Sequence, residues 1–257
     1  MFSAAEAARN LDEAHKTRAR YQNLPDAIAP KTVAEAYAAQ EALCQLWAAR
    51  LGPVAGLKIA TTTKVMQQLM GIDHPCAGMI FASRIHASPA TVTKADYVNL
   101  RVEFELAVRL GRDLVEQAAP YTRDSVRAGI AEVMAAFELI EDRGADYKTC
   151  KVMSLIADNA WNGGIVIGAA NPLPAGLDLD GIAGTMRRNG KVEASGKTDD
   201  PLGALAWLAN LAVERGRPMM AGMVVITGSV VTIVDIAPGE RFNFALEGVG
   251  DTTMAAR

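Results

Sequence analysis

Positions 101–108 read Arg-Val-Glu-Phe-Glu-Leu-Ala-Val. Alternate side chains of a strand face opposite ways. Val102, Phe104 and Leu106 would therefore turn to a core, with Glu103 and Glu105 together on the other face, roughly 6–7 Å apart. Two neighbouring carboxylates repel unless a proton or a cation sits between them. Such an oxygen pair suits a hard divalent ion, although an exposed strand face with solvated glutamates shows the same pattern. Glu138 bears on the choice. It stands alone in the apolar run Met134-Ala135-Ala136-Phe137-Glu138-Leu139-Ile140, and a carboxylate in a buried strand needs a partner. Either it joins Glu103 and Glu105 around one ion, or it pairs with an arginine such as Arg101, Arg109 or Arg143. Lys58 is a second isolated charge, set among Val54, Leu57 and Ile59.

The elements that would carry these residues follow from periodicity and punctuation. Ser3 precedes Glu6 at capping-box spacing, and Ala7, Leu11, Ala14 and Arg18 continue in helical steps. A helix over 3–22 is expected, with a second from about 31 to the Gly52-Pro53 break. After Pro53 the chain turns to glycine, β-branched residues and short alternating runs. Strands are expected at 54–61, 98–110, 135–140, 164–167, 184–189, 191–193, 224–227 and 230–234, with a hairpin at Asn189-Gly190. Helices are expected at 63–70, 123–134 and 202–215, and a loop and helix within 143–157. This is no regular strand–helix alternation, which argues against a Rossmann or barrel architecture. The organisation is α+β, with an N-terminal helical segment over 1–52 and a catalytic domain over 53–257.

Composition narrows the function. Half of the 257 residues are hydrophobic and 21% are charged, which excludes disorder. With 26 basic and 29 acidic residues the net charge is -3, so no basic excess serves nucleic acid or an anionic membrane. Three cysteines without a CxxC point to free thiols in a reducing compartment, and three scattered histidines do not make a zinc site. No stretch is long and apolar enough to span a membrane, and the charged N-terminus is unlike a signal peptide. A cytoplasmic location is the expectation.

A series of motifs in order resembles one family. These are GLKIATTTKVMQQLMGIDHP at 56–75, RVEFELAVRLGRDL at 101–114, AAFELIEDR at 135–143, LIADNAWNGGIVIG at 155–168, NGKVEASGK at 189–197, PLGALAWLANLAVERGRPMMAGMVVITGS at 201–229 and PGERFNFALEGVG at 238–250. Together they resemble the 2-oxopent-4-enoate (2-hydroxypentadienoate) hydratase and 4-oxalocrotonate decarboxylase branch of the fumarylacetoacetate hydrolase superfamily. The resemblance implies a mixed β-roll core. It implies that Glu103, Glu105 and Glu138 bind Mg²⁺ or Mn²⁺, and that Lys58 points at the substrate. It also places Arg143, Asp158, Asn159, Ser195 and Thr227 beside the substrate. A symmetric homo-oligomer is expected, with a complex with a related family enzyme as a further partner.

The implied chemistry is Lewis-acid stabilisation of the enolate of a small 2-oxoacid. Water then adds to a 2-hydroxy-2,4-dienoate to give a 4-hydroxy-2-oxoacid. The alternative is decarboxylation of a 4-oxalocrotonate-like 2-oxo-enedioate, or another 2-oxoacid C–C cleavage on the same scaffold. A non-catalytic subunit is a third reading, opposed by the intact acids and lysine. One segment departs from the family pattern: an acid usual in P-D-[YF]-G is replaced in Pro75-Cys76-Ala77-Gly78. Cys76 is thus expected at the pocket in that acid's place, with His74 as a neighbouring group able to move a proton near neutral pH.

Overall fold

The computed structural model describes residues 2–116 and 120–257. Helices α1 (Ala4–Lys16) and α2 (Val33–Leu51) open the chain. The side chains of Ser3 and Thr32 cap them, accepting from the backbone N–H of Glu6 and Glu35. α1 stops six residues before the expected end. Arg18 adopts a left-handed φ of 56° and its guanidinium donates to the carbonyls of Ala95 and Tyr97, which turns the chain away. Ala7, Ala8 and Leu11 pack with Leu43, Trp47, Phe81 and Ala157, so the helical pair is buttressed on the rest of the protein.

The remaining elements are β1 (Val54–Ala60), α3 (Lys64–Met70), β2 (Cys76–Phe81), β3 (Ile85–Ala87), β4 (Ala90–Val92), β5 (Leu100–Leu110), α4 (Arg123–Arg127) and β6 (Ile130–Glu141), followed by α5 (Val152–Ala157), β7 (Asn162–Ile167), β8 (Asn171–Pro172), β9 (Ala183–Arg188), β10 (Lys191–Lys197), α6 (Pro201–Glu214), β11 (Val224–Asp235), β12 (Arg241–Leu246) and β13 (Gly250–Ala256). The helix expected over 123–134 is only α4. Its second half is strand, because residues 130–141 pair along the whole of β5 and that ladder outweighs local helical propensity. The two strands expected at 224–227 and 230–234 are one, β11, with irregular register between Ile226 and Val234. Strands β2, β3, β4, β8, β12 and β13 are additions to the expected set.

Two sheets result. The larger runs β2-β1-β11-β5-β6-β7-β3, with β8 on β6; the smaller runs β10-β9-β12-β13-β4. One face of β5 and β6 meets the smaller sheet, where Phe104 contacts Phe137 and Phe244 edge to face at ring-centroid distances of 5.5 Å. The larger sheet also curls on itself, bringing β2 against β7. Ile80, Ala107, Met134, Ala136, Ile165, Val224 and Ile226 fill the inside of this roll. The same pleat face carries Glu103, Glu105 and Glu138 beyond that apolar plug. The expected α+β roll with helices at its N-terminus is the architecture observed.

Candidate active site

Register brings the acids together. Glu103 on β5 stands directly opposite Glu138 on β6, and Glu105 lies two residues further along the same face. One carboxylate oxygen from each lies within 4.8 Å of the others. A bulge in β11 supplies the first fixing contact. Ile226 pairs with Ala107 but Ser229 with Glu105, so β11 has an extra residue there. Gly228 takes it up at a φ of +116°, a conformation suited to glycine, and its N–H donates to Glu105 Oε2 at 2.8 Å. On the other side the Asn162 amide donates to Glu138 Oε1 at 2.8 Å.

Lys58 enters from β1. Its Nζ is 3.0 Å from Glu138 Oε1 and donates to the carbonyl of Ala160 at 3.1 Å. Gly78, opposite Lys58 on β2, leaves room for the lysine stem: a Cβ there would lie 3.0 Å from Lys58 Cγ and 2.7 Å from the Asn159 carbonyl. The partner of Glu138 is therefore this lysine and not one of the arginines weighed from sequence. Lys58, Glu105 and Glu138 are fully buried, and Glu103 is half-buried.

Three acids against one lysine leave an uncompensated negative charge. Burial pushes the Glu138 carboxyl up to about 7, partly offset by Lys58. Burial and the two neighbouring acids hold Glu105 well above the carboxylate range, and burial raises Glu103. Burial disfavours the Lys58 ammonium, but Glu138, Glu103 and Glu105 outweigh this and raise its pKa. Glu105 Oε1 and Glu138 Oε2 are buried and have no hydrogen-bond partner among the described residues. Orphaned oxygens beside converging carboxylates fit the donor set of a hard divalent cation.

A cavity of about 510 Å³ opens onto this cluster, with Lys58 and Glu103 in its wall. Arg101, Tyr147 and Thr61–Thr63 give it polar groups, while Met66, Met70, Ile140, Trp161 and Val231 give it an apolar side. Sequence reasoning missed Thr61, Tyr147, Trp161 and Asn162 as site residues. The sequence offers Arg101 only as a partner for Glu138. The signal for Arg101 was its place two residues before Glu103 on one strand face. Tyr147 and Asn162 arrive from separate segments and had no local signal.

Several expected site residues are elsewhere. Arg143 and Asp158 form a buried pair, Nη2 to Oδ2 at 2.6 Å, and His15 Nε2 lies 2.6 Å from the other Asp158 oxygen. Neither Arg143 nor Asp158 lines the cavity. Asn159 is spent on the backbone of Met79, accepting from its N–H at 2.7 Å and donating to its carbonyl at 2.9 Å. Thr227 is buried and donates to the Leu106 carbonyl at 3.0 Å. Ser195 is exposed on β10, an edge strand of the smaller sheet, and does not line the cavity, although the next residue, Gly196, packs on Val230 of the cavity wall. His74 lines a neighbouring cleft, stacked on Trp207 at 6.4 Å with Nδ1 2.7 Å from its Pro75 carbonyl. Cys76 is fully buried opposite Ala60, beside the Lys58–Gly78 pair, and accepts from the Thr61 hydroxyl at 3.4 Å. It lies behind Thr61 and not in the cavity wall, and burial raises its thiol to about 11. Side-chain direction, which motif matching does not report, separates these residues from the cluster.

A curled mixed sheet with three carboxylates and a lysine converging beside a cavity is the arrangement of an enzyme built around a carboxylate-held cation. The fumarylacetoacetate (FAA) hydrolase C-terminal model matches residues 61–255, and the chain belongs to that family. It is 33% identical to 2-keto-4-pentenoate hydratase 2 of Dechloromonas aromatica (strain RCB), over 98% of this chain and 97% of the relative. It is 34% identical to 2-hydroxyhexa-2,4-dienoate hydratase of Comamonas testosteroni, over 95% of this chain and 94% of the relative. The fold matches that of 4-oxalocrotonate decarboxylase from Pseudomonas putida G7, complexed with magnesium and adipate, at a TM-score of 0.90 and 24% identity, covering 99% of this chain and 97% of that one. Among the described residues no helix is long and apolar enough to cross a membrane.

Proposed function

We propose that this protein is a divalent-metal-dependent hydratase that adds water to a small 2-hydroxy-2,4-dienoate, giving a 4-hydroxy-2-oxoacid. The observation that carries the reading is the Glu103–Glu105–Glu138 cluster with its orphaned oxygens beside Lys58. Relatives of the same length that are hydratases of such dienoates support the substrate class. Glu103, Glu105 and Glu138 would hold the ion, for which Mg²⁺ and Mn²⁺ are the candidates. When bound, the ion supplies Lewis acidity toward the 2-oxo oxygen and carboxylate of the substrate.

The protein's own residues do the rest. Gly228 N–H and the Asn162 amide fix Glu105 and Glu138 so that their free oxygens stay aimed together. Lys58 lowers the repulsion among the acids and presents an ammonium at the cavity wall, where it can counter the substrate carboxylate or pass a proton. Arg101 offers a second cation for that carboxylate. The apolar side formed by Met66, Met70 and Trp161 accommodates the hydrocarbon tail. Residues 53–257 are taken as the catalytic part, with the 1–52 helices as its buttress, working in a cytoplasmic homo-oligomer.

The test is a chelator-treated enzyme assayed with 2-hydroxypenta-2,4-dienoate, with and without Mg²⁺ or Mn²⁺, with the product identified by mass. Metal-restored gain of one water supports the reading. Loss of CO₂ from 4-oxalocrotonate with no hydration of the dienoate would replace it with the decarboxylase.

A further inference from the structure

A second cavity, of about 340 Å³, opens where α1 and α2 face the 96–98 segment, and shares no lining residue with the active-site cavity. Its lining is mostly basic: Lys16, Arg18, Arg50, Arg84 and Arg143 stand with Asp96 and Glu141, while Asp12 and Asp158 pair with three of the cations from outside the lining. Glu141 is already engaged, accepting from the backbone N–H groups of Val98, Asn99 and Arg143. Lys16 and Arg50 share one carboxylate, Asp12. Arg18 donates to backbone carbonyls, and neither Arg18 nor Arg84 has a carboxylate partner among the described residues.

Arg143 lines the cavity from the protein side. It is 1% exposed, and although Nη2 is paired with Asp158, its Nε has no hydrogen-bond partner among the described residues. A guanidinium offers five N–H donors in a planar fork that matches oxyanion geometry. We propose that this cavity binds a small, multiply charged oxyanion, a phosphate or a short dicarboxylate, against the guanidinium groups of Arg18 and Arg84. The site stands independently of the reaction proposed above. It adjoins the acid cluster through Asn162, which lines this cavity and donates to Glu138.

Inorganic phosphate and succinate, titrated separately into chelator-treated protein at constant ionic strength, distinguish the two sources by calorimetry and thermal unfolding. One of them is expected to bind saturably at one site and raise Tm, where chloride does not. Arg18→Gln/Arg84→Gln is expected to weaken binding about tenfold or more, the scale of a lost charge-assisted hydrogen bond. Lys16→Gln/Arg50→Gln, on the rim, is expected to weaken it less and serves if the first pair fails to fold. Arg101→Gln, in the active-site cavity, should leave it unchanged. Absence of binding by both anions overturns the proposal. So does unchanged affinity in folded cavity variants, or loss of binding in Arg101→Gln alone.

Discussion

Glu138→Gln separates a cation site from a structural ion pair by the sign of its effect on stability. Glutamine keeps the shape of the side chain and removes one of three crowded charges. Glu138 is held at about 7 against an ordinary 4.5. At ~1.36 kcal/mol per pKa unit, ionising it in the metal-free folded protein costs roughly 3 kcal/mol. The folded value lies above the unfolded one, so between them the folded state holds the extra proton. Wild-type stability therefore falls as pH rises from about 4.5 to about 7, and the deficit is complete above that. Glutamine does not titrate. In chelator, Glu138→Gln should be close to neutral near pH 4.5 and stabilising by up to roughly 3 kcal/mol near pH 8, by the same conversion. Mg²⁺ at about 1,000 times its Kd should reverse the order, because it stabilises only the form that binds it, by ~4.1 kcal/mol. The assay is urea unfolding followed by tryptophan fluorescence at several pH values, with chelator and with Mg²⁺. If the Lys58–Glu138 pair were a structural salt bridge, breaking it would instead cost about 3–5 kcal/mol. A loss of that size near pH 8 in chelator, or full Mg²⁺ stabilisation of Glu138→Gln, would refute the reasoning.

Lys58→Ala should lower kcat about a hundredfold or more, the scale of an acid–base group, with its circular dichroism unchanged; a rate within a few-fold of wild type removes Lys58 from the chemistry. Cys76→Ser should cost little activity, and burial with the raised thiol should keep Cys76 from reacting with iodoacetamide near pH 8 until the protein is unfolded, as peptide mapping would read. Gly228→Ala forces a side chain onto a +116° φ and disturbs the N–H that holds Glu105, so Mg²⁺ affinity by calorimetry should fall at least several-fold. Arg143→Leu leaves Asp158 buried with only His15, and should cost about 3–5 kcal/mol in urea unfolding whatever its effect on rate. Light scattering should give a multiple of the 27.2 kDa chain, and a monomer at micromolar concentration would refute the expected oligomer.

The acid cluster was legible in the sequence because strand geometry is local. An i, i+2 pair shares a face wherever the strand lies, and a lone Glu138 in an apolar run declares that it has a partner. Lys58 was legible for the same reason, and the helix caps at Ser3 and Thr32 rest on neighbours three residues away. The family motifs likewise carried the roll. What local pattern could not supply was which strand stands beside which. Residues 130–134 look helical until β5 pairs with them, and Glu103 meets Glu138 only through that same register. Asp158 and Arg143 lie close in the chain to residues of the site, yet they turn to each other and to His15, because a buried charge goes to the opposite charge within reach. Asn162, four residues past Asp158, turns toward Glu138 instead. Cys76 and His74, two residues apart, end on opposite sides of a wall, one sealed behind Thr61 and the other stacked on Trp207. The amino-acid sequence by itself determined the ligand chemistry, oxygen donors with one buried cation. Tertiary packing alone decided which side chains reach the cavity, because side-chain direction depends on neighbours that the chain brings in from more than a hundred residues away, as with Lys58 and Ala160.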